Sequence, residues 1–372
     1  MTNTQDQIHI CIASDNNYAP LIATTIASVC FNTNRQVKFW CLESDISNYN
    51  KKLIDSLHIK FKNFDIEYKK IDRAMITEFA SKIQTSKYIS ADTYSRMFIP
   101  ELFPDVEKMI YLDIDLVALG DVGELYDTDL GDCLIGAVSE QDNTPQADIL
   151  QNMQFSPEHC YFNAGVLLMN PAKMRRDNFM GKISEILNKY AQYIRLGDQD
   201  LLNKYAECNY VKLPARFNMM SLLMAECDIV KNTNVANYIQ TECRNIVIRH
   251  YESQCKPWLT TKFWRDNLTL KTLAEFWTFA AMTPYLTWFE RQFQIKQLQC
   301  QGGRIENIEL PQNWHNFRLM GLIPIWSVHK HGHKTKYMLF DLVPLLTTKE
   351  KNNGRKKVWR LLDTVTLLTT KK

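Results

Sequence analysis

Short apolar runs alternate along the first half of the chain with stretches whose apolar positions recur every three or four residues. Ile8–Ala13, Val37–Leu42, Phe64–Tyr68 and Lys108–Leu112 read as strands; Pro20–Cys30, Asn48–Leu57 and Tyr94–Leu102 between them read as helices. Cys133–Val138 and Gly165–Met169 add two further strands, Phe179–Tyr193 a helix, and Asn245–His250 a late strand that closes on a histidine. This alternation predicts an α/β fold, Rossmann-like, with a mostly parallel central sheet flanked by helices. In such sheets ligands gather beyond the carboxyl ends of the strands, where Asp15, Asp113 and Asp115 fall.

Beyond Trp258 the pattern changes. Leu268–Phe293 is rich in Trp and Phe and predicts one or two helices broken at Pro284. A repeat of about 20 residues follows. Phe317-Arg-Leu-Met-Gly-Leu-Ile-Pro-Ile-Trp326 is echoed by Tyr337-Met-Leu-Phe-Asp-Leu-Val-Pro-Leu-Leu346 and, more loosely, by Val358-Trp-Arg-Leu-Leu-Asp-Thr-Val-Thr-Leu367. Each copy reads as an apolar strand pair. Basic linkers containing Gly332 and Gly354 (329–336 and 349–357) separate the copies. The expected organisation is an α/β domain over residues 1–260, a helical extension over 261–310 and a basic, apolar β repeat over 311–372.

Charge sharpens this division. The 372 residues carry a net charge of +3, but from Phe317 onward twelve Lys and Arg face three acids, a balance of about +9 that leaves about −6 for the rest. An anionic partner is therefore expected at the tail, and an anionic membrane face suits its mixture of cations and apolar residues. Nucleic acid is not expected. The alternative is a solubilising or assembling appendage. The ten cysteines lack any Cys-x-x-Cys pair, and Cys11, Cys30, Cys41 and Cys133 sit in apolar surroundings, as free thiols in a reducing compartment do. No signal peptide is evident at the N-terminus, and the longest apolar run, Phe276–Phe289, contains Pro284 and falls short of the ~20 residues of a spanning helix. The expected location is cytoplasmic, peripheral on the inner face of a membrane.

Asp-x-Asp occurs at Asp113/Asp115, Asp127/Asp129 and Asp198/Asp200. The last reads as an acidic helix start and the second as a turn. Only Asp113-Ile114-Asp115 follows a buried-looking strand, Met109-Ile-Tyr-Leu112, with no turn residue between. Extended backbone puts residues i and i+2 on one side, so both carboxylates can meet one hard divalent cation, which removes the cost of desolvating two acids. Without a cation the two are simply exposed acids at a strand end. His250 closes another strand, and Lys256-Pro-Trp258 follows six residues later. A lone His250 is ordinarily a surface or structural residue; with two carboxylates it suits Mn2+ better than Mg2+, although Mg2+ is a possible substitute. An Asp pair, an imidazole and a nearby Lys together describe a metal-bridged diphosphate site.

Six ordered segments across residues 8–260 give the chain a resemblance to the family 8 glycosyltransferases. They are Ala13-Ser-Asp-Asn-Asn-Tyr18, Thr93-Tyr-Ser-Arg96, Tyr111-Leu-Asp-Ile-Asp115, Tyr161-Phe-Asn-Ala-Gly-Val166, Gly197-Asp-Gln-Asp-Leu-Leu-Asn203 and His250-Tyr251 with Lys256-Pro-Trp258. The resemblance implies a GT-A fold, a UDP-galactose or UDP-glucose donor, Mn2+ and retention of anomeric configuration. By the same resemblance Asp113, Asp115 and His250 are the metal ligands; Ala13, Asp15, Asn17, Tyr18 and Ile114 line the nucleotide, with Lys256 on its diphosphate. Arg96, Asn163, Ala164, Gly165, Asp198 and Gln199 surround the donor sugar. Two departures stand out: Ser253 replaces a glycine usual in the turn before Lys256, and Glu140 stands where an aspartate is common.

Cleaving the sugar–phosphate bond leaves negative charge on the nucleotide, which a cation and Lys256 are placed to stabilise. Gln199, and after it Asp198, is the catalytic candidate on the sugar's opposite face. An amide is a poor nucleophile, so attack by the acceptor on the leaving group's own face is expected. The acceptor is expected to be a saccharide on a glycolipid such as a lipopolysaccharide core, with a soluble protein or polysaccharide as the alternative. A metal-dependent phosphohydrolase would also want the Asp pair, but the chain lacks a Gly-rich phosphate loop. A non-catalytic UDP-binding scaffold would bind UDP and Mn2+ without turning over a UDP-sugar.

Overall fold

The computed structural model describes residues 7–83, 91–140, 146–220, 233–252, 256–259 and 270–300, together with strands between Asn316 and Lys371. The chain divides into two compact units, Met1–Gln294 and Ile295–Lys372.

The first unit is built on a seven-stranded sheet. Its strands are β1 (Ile8–Ser14), β2 (Val37–Glu43), β3 (Phe64–Lys70), β4 (Met109–Leu112), β6 (Ile135–Ser139), β7 (Phe162–Met169) and β8 (Val211–Lys212), in the order β3-β2-β1-β4-β7-β6-β8. The β3-β2-β1-β4 run is parallel, and β7 lies antiparallel to both β4 and β6. Three short strands make a second sheet in the order β5-β10-β9, namely β5 (Leu116–Ala118), β9 (Met219–Met220) and β10 (Ile248–His250).

Continuous apolar runs are explained by a sheet buried on both faces. Alternate residues of one strand enter different cores: Ile110 and Leu112 of β4 join one cluster, Met109 and Tyr111 the other. On β7, Val166 and Leu168 likewise oppose Leu167 and Met169. The helix Ala19–Asn32, with Pro20 in its first turn, is buried along most of its length in the first cluster. Phe276, Phe279, Tyr285 and Phe289 of the late helical segment enter that cluster too, and the Tyr285 hydroxyl donates to Asn50 Oδ1 at 3.0 Å.

Several expected elements differ in detail. Tyr94–Leu102 is a 3-10 helix through Phe98 followed by one α-helical turn at Ile99–Leu102. Strand β7 begins at Phe162 instead of Gly165, so Asn163-Ala-Gly165 lies within a strand and is not a turn before one. The expected helical break at Pro284 falls between Leu270–Ala280 and Leu286–Cys300. Among the described residues, no helix is long and apolar enough to cross a membrane.

The second unit is a six-stranded antiparallel meander, β11 (Asn316–Leu319), β12 (Ile323–His331), β13 (Lys334–Leu339), β14 (Val343–Lys351), β15 (Lys356–Leu361) and β16 (Val365–Lys371). The sequence repeat is a hairpin repeat. Register shifts recur at Phe317/Arg318 and Tyr337/Met338, the same place in the first two copies, and one residue further along the third at Trp359/Arg360. The basic segments expected as linkers are largely strand ends, since β12 continues through His331, β14 through Lys351, and β13 and β15 start at Lys334 and Lys356. Thr residues interleave with the lysines there, and β-branched side chains favour extended backbone.

Candidate active site

Four strand ends build the site. Asp113 follows β4, and its backbone N–H donates to the Gly165 carbonyl of β7 at 2.8 Å. Asp115 precedes β5, which pairs antiparallel with β10 so that His250 lies opposite Leu116. The Tyr251 N–H then donates to the Asp115 carbonyl at 2.9 Å, drawing the histidine strand against the second acid. Alternation along β10 sends Arg249 the other way, to a buried ion pair with Glu275 at 3.0 Å. These backbone bonds bring an imidazole 135 residues away in sequence onto the acid pair.

His250 Nε2 lies 3.1 Å from Asp115 Oδ1 and 3.9 Å from Asp113 Oδ2. One ligand atom from each of the three residues falls within 4.8 Å of the others. A hard cation with bonds of about 2.1 Å in octahedral geometry separates neighbouring ligands by about 3 Å and opposite ones by about 4.2 Å, so the three side chains fit a cation with little movement. Gly165 keeps the space open. A Cβ there would press on His250 Cε1 and lie 2.8 Å from Asp113 Oδ2.

Cations already surround the acids. Arg96 places NH2 2.8 Å from Asp113 Oδ1, Nε 2.9 Å from Asp198 Oδ2 and NH1 2.6 Å from the Ala164 carbonyl, and it stacks over the Tyr111 ring. The Tyr111 hydroxyl donates to Asp113 Oδ1 at 3.0 Å. Lys256 Nζ pairs with Asp115 Oδ2 and donates to the Tyr251 carbonyl at 2.6 Å. Burial alone would raise the Asp115 pKa, but Lys256 and His250 overcome it and hold the carboxyl well below the usual range. The same balance runs the other way at His250: burial disfavours its charge, Asp115 and Asp113 favour it more, and its pKa rises. Asp198 is buried at 3% exposure, and burial pushes it up to about 6 despite Arg96.

The remaining predicted residues divide into two groups. Asn163, Ala164, Gly165, Asp198 and Gln199 gather beside the acids. Gln199 Oε1 accepts from the Ala164 N–H at 3.0 Å and from Asn163 Nδ2 at 3.2 Å. Ala13, Asp15, Asn17 and Tyr18 sit at the end of β1, which pairs with β4 through Ile12 and Leu112, so this strand end adjoins Asp113. Asp15 Oδ1 caps the 3-10 turn Asn16–Tyr18 by accepting from the Asn17 and Tyr18 N–H groups at 2.8 and 3.2 Å. That leaves Tyr18 about half exposed. Ile114 is partly buried between the acids, and its carbonyl accepts from Thr25 Oγ1 at 3.3 Å. Ser253 lies outside the described residues. Of the other Asp-x-Asp acids, Asp127 accepts from Arg35 NH1 on both carboxylate oxygens at 2.8 and 2.9 Å, and Asp200 accepts from the Arg195 and Leu196 N–H groups, which gives these two structural roles.

Residues 9–262 match the model of glycosyl transferase family 8. The chain belongs to that family. Among relatives of this family 8 enzyme, glycosyltransferase GlyF of Streptococcus pneumoniae serotype 4 is 28% identical over 337 residues, spanning 86% of this chain and 74% of GlyF. General stress protein A of Bacillus subtilis is 28% identical over 262 residues, 68% of this chain and 88% of that protein. Among solved structures, galactosyltransferase LgtC in complex with donor and acceptor sugar analogs superposes with a TM-score of 0.63 at 26% identity, covering 74% of this chain and 96% of LgtC. This family 8 enzyme is therefore a glycosyltransferase of GT-A fold, working between a nucleotide-sugar donor and a saccharide acceptor.

The sequence reading missed Asn218, whose amide touches both His250 and Asn163. A polar residue inside the apolar run Phe217-Asn-Met-Met220 was the available signal. It also left Glu140 without a partner, although Glu140 Oε1 accepts from Gln199 Nε2 at 3.3 Å.

Proposed function

We propose that this family 8 enzyme moves a hexose, galactose or glucose, from its UDP-sugar to a saccharide acceptor with retention of anomeric configuration. Mn2+ is the proposed resident cation, held by Asp113, Asp115 and His250. The convergence of those three side chains, with Lys256 on Asp115, carries the reading. A cation bound there supplies positive charge to the pyrophosphate as it leaves.

The protein groups complete the chemistry. Lys256 adds a second positive charge beside the departing phosphate, and Ala13, Asp15, Asn17, Tyr18 and Ile114 offer an adjoining strand end for the nucleotide. Arg96 holds Asp113 and Asp198 in fixed positions at the sugar side. Two N–H donors engage Gln199 Oε1, an amide oxygen and a poor nucleophile, and the Arg96 ion pair draws negative charge from Asp198 Oδ2, which disfavours a covalent glycosyl adduct on either. This supports attack by the acceptor hydroxyl on the face the phosphate leaves, with a leaving-group oxygen taking the proton. LgtC, named as a galactosyltransferase, favours galactose.

The acceptor is proposed to sit on a glycolipid, with the tail resting on an anionic membrane surface. Strand pairing supports this by collecting cations at one end of the meander: His331 is opposite Lys334, Lys334 opposite Lys349, Lys351 opposite Lys356, and Lys356 opposite Lys371. Each of these lysines contributes about 1 kcal/mol near such a surface. Incubating the full chain with UDP-galactose, UDP-glucose and their N-acetyl analogues, with Mn2+, Mg2+ or chelator, tests the function. Release of UDP from a hexose donor only with cation present is expected, and UDP binding without turnover of any donor would leave a scaffold.

A further inference from the structure

The amide side chains beside the cation site form a chain whose direction can be worked out atom by atom. The Gly165 N–H donates to Asn163 Oδ1 at 2.9 Å, and a backbone N–H cannot accept, so this atom is the oxygen and Nδ2 faces Gln199. The Ala164 N–H fixes Gln199 Oε1 in the same way, leaving Nε2 toward Glu140. Asn218 Nδ2 lies 2.9 Å from the oxygen of Asn163 and therefore donates to it, which turns Asn218 Oδ1 toward His250 Nδ1 at 3.0 Å. An oxygen there requires Nδ1 to carry the proton. Every link then donates the same way, from His250 through Asn218, Asn163 and Gln199 to the carboxylate of Glu140, whose other oxygen accepts from Gln146 Nε2. Asn218 is fully buried and Glu140 nearly so.

We propose that Asn218 and Glu140 are positioning residues at the two ends of this one-way relay, which keeps the proton of His250 on Nδ1 so that Nε2 is presented to the cation while the amide of Gln199 is fixed beside the donor sugar. The inference rests on the cation site proposed above. A carboxylate suits the far end because it only accepts, so Gln199 cannot turn over without losing Ala164. A hydrogen-bonded partner on the far nitrogen of a metal-bound histidine sets its tautomer and orientation, and removing one typically weakens metal binding by about 10–100-fold.

Asn218→Leu and Asn218→Asp in the full chain separate positioning from bulk structure. Leu neither accepts nor donates, whereas Asp still accepts from His250 Nδ1 but no longer donates to Asn163. Asn218→Leu is expected to weaken Mn2+ binding, read by titration, by about 10–100-fold, and Asn218→Asp to keep it within about threefold of the wild type. In 15N-histidine-labelled protein with Mg2+, an exchange-protected ring N–H of His250 is expected in the wild type and in Asn218→Asp, and its loss in Asn218→Leu. Glu140→Gln is expected to lower turnover at least tenfold with Mn2+ and UDP affinities unchanged. Should the Leu variant not melt cooperatively, the Asp and Gln variants decide: loss of the protected proton in Asn218→Asp, or full turnover in Glu140→Gln, overturns the relay. So does wild-type Mn2+ affinity in a folded Asn218→Leu. Failure of the wild type to bind Mn2+ sinks the cation site itself, a result these variants do not imitate.

Discussion

Gly165→Ala is the smallest change that enters the proposed cation site without altering a ligand. The added methyl would lie 2.8 Å from Asp113 Oδ2 and 3.0 Å from Asn163 Oδ1, and closer still to His250 Cε1. Gly165 itself cannot retreat, because its N–H donates to Asn163 and its carbonyl accepts from Asp113 N–H. The imidazole and the Asp113 carboxylate must therefore separate. Overpacking of this kind costs about 1–3 kcal/mol. The cost falls on the arrangement that binds metal, so Mn2+ affinity should drop about 5- to 150-fold. Titration of Mn2+ into wild-type and Gly165→Ala protein measures this, and a thermal melt in chelator reports the intrinsic stability change separately. Unchanged Mn2+ affinity in a folded variant would refute the placement of the ion between His250 and Asp113.

Three further outcomes follow from the charges. Metal binding needs a neutral His250, whose pKa is raised by Asp115 and Asp113 over the opposing effect of burial, so Mn2+ affinity should climb about tenfold per pH unit until the ring is neutral. Metal-free protein should show the reverse trend in stability. Asp198, raised by burial to about 6, and His250 both bind protons more tightly folded than unfolded. Their contribution is complete below the unfolded values and is lost as pH rises through the folded ones, about 3 kcal/mol for Asp198 between roughly pH 4 and 6; Asp198→Asn should flatten that part of the melting profile. Replacing Lys334, Lys349 and Lys356 by Gln should weaken sedimentation with anionic vesicles by about 3 kcal/mol, roughly 150-fold, and leave UDP-sugar hydrolysis intact, whereas unaltered vesicle binding would contradict the membrane role of the tail.

The catalytic unit was largely legible because its sheet is buried on both sides. Burial on two faces writes unbroken apolar runs such as Met109–Leu112 into the sequence, and the acids that end them stand out. His250 could be flagged as a strand end, but its meeting with Asp115 depends on the β5–β10 pairing, which local pattern does not encode. The start of β7 was missed because Asn163 and Gly165 carry turn propensity that tertiary hydrogen bonds override. Asn218 stayed hidden for a related reason: its partners are 32 and 55 residues away. In the tail, periodicity revealed the hairpin repeat, while lysines read as linkers proved to be strand ends.

Crystals grown with UDP and Mn2+ and recorded at the manganese absorption edge test the central claim most directly. One anomalous peak is predicted between the carboxylates of Asp113 and Asp115, within coordination distance of His250 Nε2, with the pyrophosphate beside it and Lys256 turned onto a phosphate oxygen. A peak remote from His250, or nucleotide bound with no peak between the two acids, would contradict it.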